Sequence, residues 1–219
     1  MNKADYKAIA EQLRCPSGSL GEQTADNMFR TNGNMINETI DMLDIRPNGR
    51  VLEIGFGSAR HLPYLLGQAA GITYFGLDMS ELMVDLARAN NGRLIRDGVV
   101  RFLKVTGDAG LDFPEGYFAS SFSVNTLYFW KQPIQHLKEI NRVLKREGLL
   151  ALSFVPVDFA RTLPFTRHGF SLYSPTEVEH LLLESGFSRI YQYGYKEKTI
   201  SNSGQEMIRP FVIVIGTKI

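Results

Sequence analysis

The strongest constraint on the fold is the stretch at residues 50–60, which has the sequence RVLEIGFGSAR. Residues 51–54 form a short, mostly apolar run typical of a buried strand, and the run ends at Gly55 and Gly57. Ser58 is placed to cap a following helix. Glycines allow a tight turn and the close approach of a ligand to backbone N–H groups, and a helix N-terminus adds a positive dipole end. The stretch therefore predicts a strand, a ligand-binding turn and a helix.

Strand and helix patterns alternate after this turn, which predicts an α/β fold. The predicted strands cover residues 51–54, 73–77, 99–105, 118–124, 149–154, 190–195 and 211–215. Helical crossovers between the first five imply a parallel sheet that is covered by helices on both faces. The link at residues 196–206 is too short for a helical crossover, so the last two strands are predicted to form an antiparallel hairpin.

Residues 1–48 show helical patterns and no convincing strand. A first helix is predicted to end at residues 16–18, and two further helical segments are predicted on either side of a polar break at residues 31–34. We expect this part to form a lid over a pocket; the alternative is a helical pair packed on the edge of the sheet. The predicted division is an N-terminal helical segment at residues 1–48 and a ligand-binding domain at residues 49–219.

The composition narrows the classes of protein to which the chain can belong. Its 219 residues fit one α/β domain, and the net charge of +1 argues against binding to a nucleic-acid backbone. Cys15 is the single cysteine, which excludes an intrachain disulfide and a cysteine-based metal site. No run approaches the ~18 apolar residues of a membrane span, and the first residues show no signal-peptide pattern. We expect a cytoplasmic protein with no metal, no nucleic-acid partner and no membrane span.

Each of the first four predicted strands ends in a polar residue: Glu53, Asp78, Asp108 and Asn125. The carboxyl ends of parallel strands meet at one edge of the sheet, where ligands bind in open α/β folds. Asp78 follows Gly57 by 21 residues (78 − 57), close to the ~20 expected for an acid that binds a ribose diol. Asp108 is a candidate for binding an adenine amino group, and Asn125 for orienting the ligand or substrate. The alternative for each is a turn or capping residue.

A nicotinamide dinucleotide is the competing ligand for this pattern. Its fingerprint requires a third glycine three positions after the second one, because helix and strand pack closely there. In this sequence Arg60 occupies that position. A long charged side chain fits poorly with a turn that binds a pyrophosphate, so the dinucleotide is disfavoured.

The same residues resemble those of class I S-adenosylmethionine-dependent methyltransferases. The sequence EIGFGSA at residues 53–59 resembles motif I of that family, Asp78 matches its acid after strand 2, and residues 107–109 match its adenine-contacting stretch. Residues 125–148 are similar to the segment that joins strands 4 and 5 in that family. The pattern as a whole is similar to the small-molecule group that includes the quinone-biosynthesis methyltransferases.

Three departures from the family pattern affect what the resemblance implies. Ala59 stands where a third glycine is usual, and the sequence KREG at residues 145–148 replaces a usual Lys-Pro-Gly-Gly turn. The Asn/Asp-Pro-Pro-Tyr/Phe motif is absent, since Asn125 is followed by Thr-Leu-Tyr. That absence argues against methylation of adenine amino groups or glutamine amides.

The resemblance implies a three-layer Rossmann-like fold with a seven-stranded, mostly parallel sheet, an antiparallel last strand and an N-terminal helical lid. It also implies S-adenosylmethionine as cofactor and in-line methyl transfer to a small-molecule acceptor. The residues implied to bind the cofactor are Glu53, Gly55, Phe56, Gly57, Asp78, Met79, Asp108, Ala109 and Asn125. Two other functions stay open: a regulatory module that binds S-adenosylmethionine without catalysis, and a protein or RNA methyltransferase.

Candidate general bases come from the histidine and tyrosine side chains. His168, in an aromatic-rich segment, and Tyr128, just after the fourth strand, are the candidates in the predicted acceptor pocket. We expect His136 to be a surface or packing residue and His61 to face either the cofactor or solvent. The sequence does not identify the catalytic residue, the acceptor or the oligomeric state.

Overall fold

The computed structural model describes residues 3–107, 110–200 and 206–219, and its centre is a seven-stranded sheet. The strands are β1 (Arg50–Ile54), β2 (Thr73–Asp78), β3 (Val100–Lys104), β4 (Phe118–Val124), β5 (Leu144–Phe154), β6 (Phe187–Ile200) and β7 (Glu206–Lys218). Their order across the sheet is β3-β2-β1-β4-β5-β7-β6. Neighbouring strands among β1 to β5 run parallel, and β7 runs antiparallel to β5 and β6. The predicted mostly parallel sheet with antiparallel pairing at its end is confirmed.

Helices cover both faces of this sheet. They are α1 (Lys3–Arg14), α2 (Gly18–Asp41), α3 (Leu62–Leu66), α4 (Glu81–Asn90), α5 (Gly92–Arg96), α6 (Pro133–Val143), α7 (Val157–Ala160) and α8 (Pro175–Glu184). Side chains alternate between the two faces of a strand, so Val51 and Leu52 of β1 enter different cores. The first core lies under α2, α3 and α4 and contains Tyr74 and Phe122, and the second lies under α6 and α8 and contains Phe118. The two cores give the predicted three layers.

The strand order fixes where a ligand can bind. β1 pairs with β2 on one side and with β4 on the other, so the direction of the crossovers reverses between β1 and β4. In open α/β sheets, ligands bind outside the carboxyl ends of the strands at such a switch point. Gly55 follows β1 and Asn125 follows β4, so the predicted site residues of both strands lie at this position.

The segment at residues 31–34 is helical, so the predicted polar break is wrong. α2 runs through it without interruption. The polar side chains in it have distant partners: Asn34 Nδ2 donates to Glu197 Oε2 (3.2 Å), and Asn32 Oδ1 accepts from Arg209 Nη2 (3.0 Å). These contacts with the β6–β7 hairpin offset the low helix propensity of Asn and Gly, which costs roughly 1 kcal/mol for a glycine.

Other element boundaries also differ from the prediction. α3 begins at Leu62 rather than at Ser58, which makes no capping hydrogen bond to it, and turns occupy the residues between them. β5 begins at Leu144, because a bulge at residues 145–148 lets the chain enter the sheet directly from α6. β6 and β7 are both longer than predicted, so residues 196–200 and Glu206 of the predicted link belong to the hairpin strands.

The N-terminal helices are packed against the rest of the protein. Met35 and Ile40 of α2 are fully buried in the first core, and α1 contacts a 3-10 turn at Pro164–Arg167. This packing agrees with both interpretations of residues 1–48, since the same helices also line the cavities described below. The division of the chain at residue 48 stays a prediction.

Candidate active site

A cavity of about 610 Å³ opens at the carboxyl ends of β1, β2 and β4. We call it the large cavity. Its walls include Gly55, Gly57, Asp78, Met79 and Asn125, all of which were predicted to bind the cofactor. Ligand cavities in proteins are typically about 300–1,000 Å³, so the volume suits a nucleoside-sized molecule.

The turn after β1 needs glycine at both positions, for different reasons. A Cβ at Gly55 (φ +77°) would lie 2.2 Å from Thr126 Cγ2, so the turn can form only with the smallest residue. Gly57 (φ +57°) has no neighbour within 4 Å on that side, which leaves open space where it lines the large cavity. Phe56, between them, packs its ring on Phe102 with 5.0 Å between centroids. Its side chain therefore belongs to the core, and only its backbone lies at the turn.

Asp78 closes β2 beside the glycine turn. Its Oδ2 accepts a hydrogen bond from the Gly57 N–H (3.1 Å), and its Oδ1 accepts one from the Ser80 N–H (2.9 Å). Burial raises the pKa of Asp78 to about 6, although both backbone donors act in the opposite direction. The predicted spacing of 21 residues thus places a carboxylate in direct contact with the turn.

Glu53 lies beneath the turn rather than in the wall of the large cavity. Its carboxylate accepts from the Tyr74 hydroxyl, and its Oε2 lies 2.8 Å from His61 Nε2. Burial, and then the nearby Glu53 charge, raise the pKa of Tyr74 well above its usual value, so this tyrosine is a donor. An inner cavity of about 30 Å³ is lined by Glu53 and His61 together with Gly55 and Gly57, and His61 is buried and absent from the wall of the large cavity. His61 therefore faces neither solvent nor the large cavity, and no local sequence pattern indicated its contact with Glu53.

Asn125 follows β4 in a left-handed conformation, with φ of +58°. Its Nδ2 donates to Met35 Sδ (3.4 Å), and its Oδ1 accepts from the Tyr128 hydroxyl (3.0 Å). Asp108 and Ala109, the predicted adenine-contacting residues, lie outside the described residues. Their neighbours Gly107 and Gly110 line the large cavity.

A second cavity of about 110 Å³ adjoins the first, and we call it the aromatic cavity. Its aromatic walls are Tyr128, Phe129, Phe165 and Phe170, and further apolar walls come from Val155, Ala160, Leu163 and Leu172. Leu13, Met28, Asn125 and Phe129 line both cavities. The two cavities therefore share one wall, formed partly by α1 and α2.

The two candidate bases have different positions. Tyr128 lines the aromatic cavity, and its hydroxyl accepts from the Val155 N–H (2.6 Å) while donating to Asn125. Burial raises its pKa far above neutrality, so the phenol stays protonated. His168 lines neither cavity, because the 3-10 turn before it carries Phe165 and Thr166 into the wall instead.

Of two further wall residues, one was expected as a surface or packing residue and the other was missed. His136 is buried against Trp130, with 4.6 Å between ring centroids, and lines the large cavity, so it is a packing residue and not a surface one. Arg209 of β7 lines the aromatic cavity and was not predicted. The signal for it in the sequence is a single arginine next to apolar residues, in Ile208-Arg209-Pro210-Phe211.

Two kinds of structure are absent from the part of the chain that is described. No group of three or more His, Cys, Asp or Glu side chains there is arranged to hold a metal ion. No helix there is long and apolar enough to cross a membrane. The expected cytoplasmic location stays a prediction.

The comparison with protein families supports the predicted relation to methyltransferases. A family profile described as a methyltransferase domain matches residues 52–152, which span the turn after β1, Asp78 and Asn125. Residues 52–152 form a methyltransferase domain. Solved structures of similar fold include SAM-dependent methyltransferases.

Relatives of the methyltransferase domain include enzymes that act on different acceptors. Malonyl-[acyl-carrier protein] O-methyltransferase from Paenibacillus sp. (strain JDR-2) is 26% identical over 175 residues, which cover 73% of this chain and 63% of the relative. A tRNA U34 carboxymethyltransferase from Actinobacillus succinogenes is 30% identical over 110 residues, which cover 49% of this chain and 33% of the relative. The chain thus spans less than two thirds of the length of either curated relative.

The fold of the methyltransferase domain is shared with solved structures. A SAM-dependent methyltransferase from Thermotoga maritima matches with a TM-score of 0.65 and 22% identity, over 98% of this chain and 100% of that chain. At this identity the likeness establishes the Rossmann-like fold, with its antiparallel last strands. The quinone-biosynthesis subgroup that the sequence resembles stays a prediction.

Proposed function

We propose that the protein transfers a methyl group from S-adenosylmethionine in the large cavity to a small molecule in the aromatic cavity. The observation that carries the proposal is the shared wall at Leu13, Met28, Asn125 and Phe129. Because the same residues line both cavities, the cavities adjoin, and ligands bound in them lie next to each other, as methyl transfer requires. One cavity has the volume for the cofactor, and the other has the apolar lining for a small organic acceptor.

The residues of the large cavity fit the proposed cofactor. We assign Gly55 and Gly57 to the close approach of the backbone, since a side chain at Gly57 would enter the cavity. Asp78, in contact with the same turn, is the proposed acceptor of the ribose hydroxyls. We assign Asp108 and Ala109 to the adenine on the basis of the family resemblance.

Glu53 and Asn125 have proposed roles around the turn. Glu53, bonded to His61 and Tyr74 under the inner cavity, supports the turn from below. Asn125 stands between the two cavities and is the proposed residue that orients cofactor and acceptor. Residues 1–48 are the proposed lid, because α1 and α2 supply Leu13 and Met28 to both cavities.

The protein acts mainly by positioning in this proposal. When bound, S-adenosylmethionine supplies a methyl group on a positively charged sulfur, which keeps the electron pair of the broken bond while a lone pair of the acceptor forms the new bond. The described residues align the acceptor with that methyl group and exclude water. An acceptor atom with a free lone pair at neutral pH needs no general base, and Tyr128 is a hydrogen-bond donor rather than a base.

Two measurements test the proposal. Calorimetric titration with S-adenosylmethionine and with NAD is expected to show binding of the first only. A panel of small molecules, together with tRNA and a protein extract, is then assayed for release of S-adenosylhomocysteine. Release with a small molecule supports the proposal, and release only with tRNA or protein overturns the proposed acceptor class. Cofactor binding without release from any acceptor would indicate the regulatory module.

A further inference from the structure

Arg209 is the one charged side chain among the described residues that line the aromatic cavity. It belongs to β7 in the hairpin, and its side chain is 13% exposed. A buried guanidinium beside aromatic rings is costly unless its charge and its N–H groups are satisfied. The partners of the Arg209 charge and of its N–H groups therefore determine which ligand the aromatic cavity can bind.

The charge of Arg209 is already neutralised inside the protein. Its Nε donates to Glu197 Oε1 (2.9 Å), and its Nη2 bonds to the same oxygen. The side chain of Glu197 is only 4% exposed, and its Oε2 accepts from Asn34 Nδ2. The pair therefore adds no net charge to the cavity.

The guanidinium retains hydrogen-bonding capacity. Its Nη2 also donates to the Thr31 carbonyl (2.7 Å) and to Asn32 Oδ1 (3.0 Å), both on α2. Across residues 3–107, 110–200 and 206–219, no hydrogen bond from Nη1 is found. A guanidinium has five N–H donors in a plane, so the two on Nη1 are available to an oxygen of a ligand.

The size and walls of the cavity set the shape of that ligand. An engineered apolar cavity of about 150 Å³ holds one benzene molecule, and the aromatic cavity has about 110 Å³. Phe170 contacts Phe129 and Tyr128 with ring centroids 4.6 Å and 5.5 Å apart, and Phe165 at 5.8 Å. The volume admits no more than one ring, which can pack against the faces or edges of these aromatic side chains in offset or edge contacts.

We propose that the aromatic cavity binds an uncharged, single-ring acceptor with an oxygen that accepts a hydrogen bond from Arg209, and that Arg209 determines this specificity. The inference rests on the proposed function. An anionic acceptor would place a second negative charge on a guanidinium already paired with Glu197, and one charge would be buried without compensation. A neutral carbonyl or hydroxyl oxygen meets the free N–H groups without that cost.

The test compares benzamide and benzoate, which have the same shape and different charge, with toluene as the apolar control. Binding to the protein saturated with S-adenosylhomocysteine is measured at pH 7.5 by saturation-transfer NMR. Benzamide is expected to bind about tenfold more tightly than benzoate or better, because burying the second carboxylate without compensation costs at least the ~1.4 kcal/mol that corresponds to tenfold. Equal or tighter binding of benzoate would overturn the inference.

The decisive variant removes both charges, because Arg209 alone cannot be removed without leaving Glu197 unpaired. Arg209→Met with Glu197→Leu is expected to bind benzamide about tenfold more weakly and toluene as before. The matched control is Arg189→Met with Glu147→Leu, an exposed pair at 2.6 Å on the same sheet, with no expected effect. Unchanged benzamide affinity in the double variant contradicts the role of Arg209.

Two further readouts keep this inference separate from the proposed function. Arg209 does not line the large cavity, so S-adenosylhomocysteine should still bind the Arg209 variants, and its affinity is measured for each of them. Arg209→Lys keeps the charge pair but loses the planar fork, and it should also weaken benzamide binding. Bound S-adenosylhomocysteine with no binding of benzamide overturns this inference alone, whereas failure of S-adenosylhomocysteine to bind overturns both.

Discussion

Asp78 is held by two backbone N–H groups while it is almost entirely buried. The two donors favour the carboxylate and burial opposes it more strongly, so the pKa rises from 3.8 to about 6. The ionised form, which can accept a hydroxyl at each oxygen, therefore predominates above about pH 6. Below that pH the carboxyl group is protonated and loses acceptor capacity. The proposed ribose contact should therefore weaken in mild acid.

Affinity for S-adenosylhomocysteine should fall about tenfold per pH unit below about pH 6, because a proton competes for the Asp78 carboxylate. Asp78→Asn has no group to titrate there, so its affinity should be lower at pH 7.5 and constant from pH 7.5 to pH 5. Calorimetric titrations at half-unit intervals measure both profiles. A wild-type dissociation constant that does not change between pH 5 and pH 7 contradicts the role assigned to Asp78.

Gly57→Ala places a methyl group in open space at the wall of the large cavity. We expect binding of S-adenosylhomocysteine to weaken at least about tenfold, and stability to fall by about 1 kcal/mol because φ is positive. Gly98→Ala is the matched control, since Gly98 has φ of +73°, no neighbour within 4 Å and no place in the cavity wall. It should lose the same stability and keep its affinity. Equal affinities of the two variants would rule out a close approach at Gly57.

At the scale of the elements, β5 enters the sheet through the bulge at residues 145–148. Glu147 has φ of +62° there, a conformation that costs a residue other than glycine about 1–2 kcal/mol. Its ion pair with Arg189 joins two side chains that are 52% and 59% exposed, and such pairs add little stability. The bulge is therefore strained without an evident compensation.

Glu147→Gly should raise the free energy of unfolding by about 1 kcal/mol, because glycine relieves the strain and the lost ion pair is weak. Glu147→Ala also loses the ion pair but keeps the strain, so it should be no more stable than the wild type. Urea unfolding of the three proteins measures the difference. A glycine variant no more stable than the alanine variant would show that the bulge is not strained at this residue.

Much of the fold could be predicted because its signals are local. β1 is a mostly apolar run that ends at a glycine turn, and the interval between Gly57 and Asp78 reflects one βαβ unit. The continuity of α2 through residues 31–34 could not be predicted, because it depends on Glu197 and Arg209 at the other end of the chain. The aromatic cavity could not be predicted for the same reason, since its walls come from five separate segments of the chain.

At the scale of the whole molecule, α1 and α2 cover the carboxyl edge of the sheet. Leu13, Arg14 and Pro16 line the large cavity although they lie far from Asp78 in the chain. Polar contacts from α2 to Arg209 and Glu197 anchor this cover to the hairpin. The cover is thus fixed at one side and in contact with the proposed cofactor at the other.

Amide hydrogen exchange in α1 should slow when S-adenosylhomocysteine binds, by up to about 100-fold at a ligand concentration of 100 times the dissociation constant. The reason is that local opening of α1 removes part of the cavity wall and must release the ligand first. α8 has no residue in the walls of the three cavities described above and serves as the internal control. Identical exchange in α1 with and without ligand contradicts the lid.

The common wall at Leu13 and Met28 has a consequence for the order of events in turnover. If the Met28 side chain moves when the cofactor binds in the large cavity, the shape of the aromatic cavity changes as well. Binding of the cofactor is therefore expected to change the affinity for the acceptor. Thermodynamic linkage requires the acceptor to change the affinity for the cofactor by the same factor. Departure of the methylated product should therefore change the affinity for the demethylated cofactor.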